Sequence, residues 1–250
     1  MKLVAGLMVG NGEALRYLPV TLPALLEFCD QVVVLDESTD GSGDLAEEAG
    51  AIVERVEPGT FFAHEGRARQ LLQDVVLEAG ATHVLAIDAD ELVTDGAAVR
   101  RALEQPGDAW CLVMEEVWEA CDDRLCIRED GGWRSHPIAC LWRVPPSIGA
   151  GYRIRDAALA CGRVPAAVEA LDRQGAAIET GASVLHFGWA NRAERQARYD
   201  RYVTHDGGRF HASAHLQSIM WPDDQVTCRS RPWPAALEPA RAELVARARQ

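Results

Sequence analysis

Short apolar segments alternate with helical patterns along the first ninety residues, and this alternation constrains the fold more than any other feature. Helical spacing of apolar residues is clearest between His64 and Ala79. Strands that alternate with helices form a mostly parallel sheet with helices on both faces, so the sequence predicts an α/β fold. The predicted strands are Leu3–Val9, Gln31–Leu35, Ala51–Val56 and His83–Ile87.

The second half of the sequence is less regular. Asn191, with Glu194 three residues later, predicts the start of a helix. We expect one domain over residues 1–230, followed by a C-terminal helical tail over residues 231–250. The further strands are predicted at Trp110–Val117, Ile138–Val144 and Ser183–Phe187.

The acidic residues are concentrated in the first half of the chain. The net charge is −13, and 25 of the 38 Asp and Glu residues lie in residues 1–125. This distribution argues against a surface that coats nucleic acid. It suits a site where carboxylates hold a cation, or simply a solvated acidic face.

Cysteine usage and hydropathy indicate a cytoplasmic protein. The seven cysteines include no CxxC pair, so zinc-ribbon and redox motifs lack support, and we expect reduced thiols. No apolar run approaches the roughly 18 residues that a membrane span needs.

Two aspartates directly follow the fourth predicted strand. Asp88 and Asp90 come after the apolar run VLAI. Ligands of open α/β sheets bind outside the carboxyl ends of the strands, and two carboxylates at a turn can converge on one cation. Their hard oxygen atoms suit Mg²⁺ or Mn²⁺, and such an ion would bridge a diphosphate. The alternative is a polar turn that merely ends the strand.

Polar residues also follow the first two predicted strands. Asn11 and Glu13 come after the first, and Asp36 ends the second. The carboxylate of Asp36 would accept hydrogen bonds from a nucleobase or a ribose, or else begin an Asx turn in the STDGS segment. All these residues are expected at the same edge of the sheet as Asp88 and Asp90.

Four runs in this order resemble a known enzyme family. VGNGEALRYLP, VVVLDESTDGS, EGRARQ and AIDADE, within about residues 3–95, resemble the nucleotide-binding half of family 2 glycosyltransferases with the GT-A fold. The chain departs from the family's common pattern at Glu37, where a second Asp is frequent, and at Gln70, where Asn is usual. The resemblance implies a nucleotide-sugar-binding half over residues 1–95 and an acceptor-side half over residues 96–230.

The resemblance also implies an activity and a set of site residues. The activity would be metal-dependent transfer of a sugar, with Mn²⁺ or Mg²⁺, from a nucleotide-sugar donor to an acceptor hydroxyl with inversion. A UDP-sugar is the preferred donor, with GDP- and dTDP-sugars as alternatives. The donor site would comprise Asp36 at the base, Asn11 and Glu13 near the nucleoside, Arg69 near the donor, and Asp88 and Asp90 at the ribose and the metal-bound diphosphate.

A third metal ligand is expected from the C-terminal half, because a GT-A metal often takes a histidine there. His186, at the end of an apolar strand, is the first choice, and a hydrogen-bonded core histidine is the alternative. His211 and His215 are four residues apart and share one helix face. These two histidines would close over the donor, bind the acceptor or simply pack.

The catalytic base is sought among the carboxylates that follow residue 114, since an inverting transfer needs one aimed at the acceptor hydroxyl. Trp118 and Trp133 lie in the same stretch and are predicted to form an aromatic wall for the acceptor, with burial as the alternative. Asp122 and Asp123 are preferred as the base, from a candidate set of Glu115, Glu116, Asp122, Asp123 and Asp130.

Two other functions stay open. A nucleotidyltransferase uses a similar sheet and acidic metal site, but it usually has a Gly-rich loop ending in Arg and Lys, which VGNGEALRYLP lacks. A non-catalytic sugar-binding or scaffold protein is the third function, and the Asp88 and Asp90 pair argues against it. The acceptor, whether glycan, protein, lipid-linked sugar or modified nucleic acid, and the oligomeric state are not determined by the sequence.

Overall fold

A ten-stranded mixed sheet forms the centre of the molecule in the computed structural model, which describes residues 1–145, 152–157, 162–206 and 213–249. The strands in these ranges are β1 Leu3–Val9, β2 Gln31–Asp36, β3 Ile52–Arg55, β4 His83–Ala86, β5 Glu91–Val93, β6 Ala109–Ala120, β7 Leu125–Arg128, β8 His136–Arg143, β9 Ile178–His186 and β10 Cys228–Arg231. The helices are α1 Glu13–Phe28, α2 Ser42–Glu48, α3 Thr60–Ala63, α4 Glu65–Glu78, α5 Gly96–Ala102, α6 Ala166–Arg173, α7 Arg192–Asp206, α8 Ser213–Ser218 and α9 Arg241–Ala248.

The parallel part of the sheet comes from the first half of the chain. Strands β3, β2, β1 and β4 lie side by side in that order, and all their pairings are parallel. The sheet continues from β4 through β8, β6, β7 and β10 by antiparallel pairing. Strand β6 also pairs in parallel with β9, which pairs antiparallel with β5. The predicted α/β class, with a largely parallel central sheet flanked by helices, is confirmed.

Helices cover both faces of the parallel strands because alternate strand residues point to opposite sides. Leu18, Leu22 and Leu25 of α1 belong to the apolar cluster on one face. Ala68, Leu72 and Val76 of α4 belong to the cluster on the other. Because β1 pairs in parallel with both β2 and β4, the carboxyl ends of these three buried strands lie at one edge of the sheet.

The helix predicted between His64 and Ala79 is present as α4. Helix α4 ends just before Gly80, whose φ of 79° is the left-handed conformation expected after a helix. Helix α1 begins at Glu13 and contains Pro19 and Pro23. Within the described ranges, no helix has both the length and the apolar character needed to cross a bilayer.

The C-terminal helix packs against the sheet. Leu244 and Val245 of α9 are buried in a cluster that also holds Tyr17 of α1, Val117 of β6 and Leu125 of β7. A 3₁₀ turn, Ala235–Ala240, precedes the helix. The segment predicted as a helical tail thus shares an apolar cluster with the rest of the chain.

We expect Trp110→Phe to lower the free energy of unfolding by about 1–3 kcal/mol. Trp110 is fully buried, and its indole Nε1–H donates to the Ala102 carbonyl at 3.0 Å. The substitution removes this donor and leaves a small cavity. Urea denaturation measures the change. Trp221→Phe is the control, since Trp221 is 40% exposed, and an equal loss in both variants would contradict the packing described.

Candidate functional site

The loops after β1 and β2 are held together by side chains. Asn11 Oδ1 accepts a hydrogen bond from the Thr39 backbone N–H at 2.7 Å, and Asn11 Nδ2 lies 3.1 Å from Thr39 Oγ1. The Gly12 N–H donates to Asp40 Oδ2 at 3.1 Å. Asn11 is therefore placed at the predicted edge, where it cross-links the two loops.

Asp36 ends β2 with its side chain buried beneath the second loop. It is 5% exposed, and its Oδ1 accepts from the Ser38 N–H at 2.9 Å, which is the Asx turn considered from the sequence. A Cβ atom at Gly43 would lie 1.9 Å from Asp36 Oδ2. Only glycine at that position therefore lets the start of α2 approach the carboxylate.

Asp88 follows β4 and faces two arginines. Its Oδ1 lies 3.5 Å from Arg69 Nη1, and its Oδ2 lies 3.4 Å from Arg163 Nη2. Burial acts to raise the pKa of Asp88, but the two guanidinium groups outweigh it and hold the pKa below the usual value. Arg69 is oriented by Glu65, whose Oε1 accepts from Arg69 Nε at 2.8 Å.

Asp90 lies deeper, and its Oδ2 contacts both the guanidinium of Arg198 and, at 3.5 Å, His186 Nε2. The opposite ring nitrogen, His186 Nδ1, lies 2.7 Å from Glu116 Oε2. Burial disfavours the imidazolium, but Glu116 and Asp90 outweigh it and raise the pKa of His186 well above its usual value. The two carboxylates on either side of His186 therefore favour its protonated form.

Glu91 is the most buried carboxylate of this region, at 1% exposed. Its Oε2 accepts from the Asp88 N–H at 2.9 Å and from Arg163 Nη1 at 2.5 Å. Burial raises the pKa of Glu91 above its usual value despite the charge of Arg163. Arg163 thus bridges the side chains of Asp88 and Glu91.

These side chains form one group, which we call the carboxylate–arginine cluster. Each acidic side chain contacts at least one basic partner, so the charges of the buried groups are compensated. Guanidinium groups donate several N–H bonds and suit phosphate oxygens as well as carboxylates. The cluster consists of Asp88, Asp90, Glu91, Glu116, Arg69, Arg163, Arg198 and His186.

Part of the predicted metal-ligand set fits a divalent ion. The 3.5 Å between Asp90 Oδ2 and His186 Nε2 allows both atoms to contact one ion. Glu116 holds Nδ1 and so directs Nε2 toward Asp90, which is the carboxylate–histidine arrangement common around bound metals. Asp88 does not join them in the described part of the chain, since these three residues do not bring three ligand atoms within 4.8 Å of one another.

Helix α7 supplies Arg198 and is fixed to α1. Arg16 Nη1 lies 2.5 Å from Glu194 Oε1, and the Tyr17 hydroxyl donates to Glu194 Oε2 at 3.2 Å. Asn191 caps the helix as predicted, because its Oδ1 accepts from the Glu194 N–H at 3.2 Å. Glu194 therefore anchors the helix instead of completing a capping box.

The two residues preferred as the catalytic base lie at the turn between β6 and β7. Asp122 Oδ2 is 3.0 Å from Arg249 Nη2, and Asp123 pairs with Arg124. The structure does not bring either residue to the carboxylate–arginine cluster, so their catalytic role stays a prediction. Of the five base candidates, Glu116 is the one inside the cluster.

The two tryptophans predicted to form an acceptor wall are buried. Trp118 and Trp133 are each 3% exposed, and the guanidinium of Arg128 lies 4.3 and 4.6 Å from their ring centroids. His215 stacks on Trp133 with ring centroids 4.5 Å apart. Burial, the alternative weighed from the sequence, describes both tryptophans. The side chain of Glu13 and the whole of His211 lie outside the described residues.

Sequence reasoning missed Arg163 and Arg198. Arg198 lies one helical turn after Glu194, so the sequence pattern of α7 indicates a charged helix face. The pattern does not indicate that Arg198 contacts Asp90. Arg163 stands outside any motif and meets Glu91, which is 72 residues away in sequence. No local signal marked either arginine.

We expect Arg163→Met to lower the free energy of unfolding by about 3 kcal/mol, because it leaves Glu91 buried without its cation. Arg163→Met combined with Glu91→Gln should recover most of this loss. Urea denaturation of the two single variants and the double variant measures the coupling. Additive losses would show that the two side chains do not interact.

Comparisons with known proteins give distant matches to solved structures. No protein-family model matches the chain, and no curated protein matches it significantly. The chain is 22% identical to S. aureus TarS 1-349 in complex with UDP, with a TM-score of 0.39, over 47% of this chain and 36% of that one. A second structure of TarS 1-349 gives 16% identity over 88% and 69%, with a TM-score of 0.47. The inositol-1-phosphate CTP transferase from T. maritima gives 11% identity over 74% and 89%, with a TM-score of 0.39.

Proposed function

We propose that this chain is a glycosyltransferase that moves a sugar from a nucleotide-diphosphate donor, preferably a UDP-sugar, to an acceptor hydroxyl with inversion. The observation that supports this most is the carboxylate–arginine cluster at the carboxyl edge of the parallel strands. That edge also carries Asn11 and Asp36, so polar groups for a nucleoside and charged groups for a diphosphate lie on neighbouring loops.

The nucleoside is proposed to lie between the loops after β1 and β2. The side chain of Asp36 is buried, but it lies at the end of β2. An oxygen of its carboxylate would accept a hydrogen bond from an N–H or O–H group of the nucleoside. Asn11 keeps the two loops at a fixed separation through its bonds to Thr39. The resemblance of the VVVLDESTDGS run to family 2 glycosyltransferases supports this placement.

The diphosphate is proposed to lie beside Asp88, where Arg69 and Arg163 present their guanidinium groups. Glu65 orients Arg69, and Glu91 orients Arg163, so neither arginine has to be ordered when a ligand arrives. Charge-assisted hydrogen bonds from guanidinium groups to phosphate oxygens are among the strong ones in proteins. Asp88 would then turn to the ribose, as the resemblance implies.

We place Mn²⁺ or Mg²⁺ at Asp90 and His186. When bound, the ion would offset the negative charge of the departing nucleoside diphosphate. Glu116 would accept a hydrogen bond from His186 Nδ1, which leaves Nε2 available for the ion. Arg198, which shares the Asp90 carboxylate, adds positive charge at the same position.

We expect the wild-type protein to release UDP from a UDP-sugar in the presence of Mn²⁺, and Asp90→Asn to lower that rate roughly 100-fold through loss of metal-derived charge stabilisation. A panel of UDP-, GDP- and dTDP-sugars with Mn²⁺ or Mg²⁺ identifies the donor by the nucleoside diphosphate released. The control is Asp224→Asn, an exposed residue of the 3₁₀ turn Asp223–Gln225.

Two outcomes would contradict the proposal. Pyrophosphate released from a nucleoside triphosphate and a sugar phosphate would make the chain a nucleotidyltransferase. A wild-type melting temperature that no nucleoside diphosphate raises, with either metal, would favour a non-catalytic sugar-binding or scaffold protein.

Glu116→Gln should weaken Mn²⁺ binding about 10- to 100-fold, because the substitution removes the carboxylate that directs His186. Glu115→Gln is the matched control, since the neighbouring Glu115 pairs with Arg229 and Arg231 instead of the histidine. Isothermal titration with Mn²⁺ measures both affinities. Equal affinities in Glu116→Gln and the wild type would contradict the role proposed for the Glu116 carboxylate in directing His186 to the metal.

A further inference from the structure

The hairpin formed by β6 and β7 carries a second group of metal-binding side chains. Glu119 of β6 stands opposite Cys126 of β7 in the strand register. Cys121 lies just beyond β6, and its N–H donates to the Arg124 carbonyl at 2.9 Å, which closes the hairpin. Residues 119, 121 and 126 therefore lie on one face of the hairpin, because side chains alternate along a strand.

The three side chains converge. One ligand atom from each of Glu119, Cys121 and Cys126 lies within 4.8 Å of the other two. Cys126 Sγ is 3.7 Å from Glu119 Oε2. Ligand atoms around a tetrahedral Zn²⁺ are separated by about 3.5–3.8 Å, given Zn–S bonds of about 2.3 Å and Zn–O bonds of about 2.0–2.2 Å. Small side-chain rotations suffice to reach that geometry.

The donor atoms select the type of metal. Two thiolates and one carboxylate suit Zn²⁺, because soft thiolate ligands select Zn²⁺ over the harder ions Mg²⁺ and Mn²⁺. Cys121 and Cys126 are free cysteines of intermediate exposure, and Glu119 is exposed, so an ion reaches them directly from solvent. The exposure also leaves a fourth coordination position open to water.

We infer that Glu119, Cys121 and Cys126 form a zinc site with water as the fourth ligand. On binding, two S–H bonds break, two Zn–S bonds form and two protons pass to solvent, with no change of oxidation state. The ion would cross-link β6 to β7 at the end of the hairpin. This zinc site is independent of the proposed glycosyltransferase activity.

Zinc retention by the reduced full-length chain tests the inference. The protein is incubated with excess ZnSO₄, desalted and analysed by elemental mass spectrometry, and we expect about one zinc per chain. Cys121→Ser and Cys126→Ser should each reduce this to near zero. Co²⁺ in place of zinc should give a thiolate-to-cobalt charge-transfer band in the wild type, and this band should disappear in both variants.

Cys228→Ser is the matched control, since it removes an exposed thiol of the neighbouring strand β10 that lies outside the converging group. It should retain zinc. Loss of zinc in Cys228→Ser to the same extent would overturn the assignment, because retention would then need a thiol outside the three proposed ligands. Absence of retained zinc in the reduced wild type, with far-UV circular dichroism confirming its fold, would also overturn it.

Discussion

Compensation of buried negative charge is the interaction on which the rest of this structure depends. In the turn after β4, Asp90 and Glu91 are only 6% and 1% exposed. Burying a carboxylate without a compensating cation costs several kcal/mol of folding free energy. The compensating cations are Arg163, Arg198 and His186, which come from the segment before α6, from α7 and from β9. One turn therefore fixes the positions of three distant segments, and these meet where the candidate site lies.

In the proposed function, the same compensation would allow the site to respond to ligands. The arginines that neutralise the carboxylates also offer donors to phosphate oxygens, and His186 exchanges a proton for a metal ion at Nε2 in the proposed function. When a diphosphate binds together with a divalent cation, the added positive and negative charges balance. The ion pairs of the carboxylate–arginine cluster then need not be broken for the ligand to bind. This balance is the physical reason for proposing a metal-bound nucleotide, and not a bare anion, as the ligand.

Much of the parallel layer could be predicted because its signals are local. Apolar runs, turn residues and the helical stripe of α4 gave β1 to β4 and the α/β class, and the edge rule placed Asn11, Asp36, Asp88 and Asp90 together. His186 was predicted from the resemblance and its strand-end position, and it lies beside Asp90. The sequence does not mark the start of α1 at Glu13, because Pro19 and Pro23, a residue type that usually stands at helix starts or outside helices, lie inside this helix.

The environment of the other candidate residues could not be predicted, because it depends on contacts between residues far apart in sequence. The burial of Trp118 and Trp133 depends on Arg128 and on the segment around α8, and no periodicity reveals that packing.

Strand β6 pairs with β7, β8 and β9, and the β6–β9 pairing joins Glu116 to His186. Contacts between residues this far apart in sequence also affect folding during synthesis. Asp90 is made 108 residues before Arg198, which at about 5–20 residues per second is a delay of roughly 5–20 s. On the ribosome, the parallel strands can assemble early, but the turn after β4 has to stay hydrated until the last third of the chain emerges. The acidic edge thus closes well after the parallel strands beside it have formed.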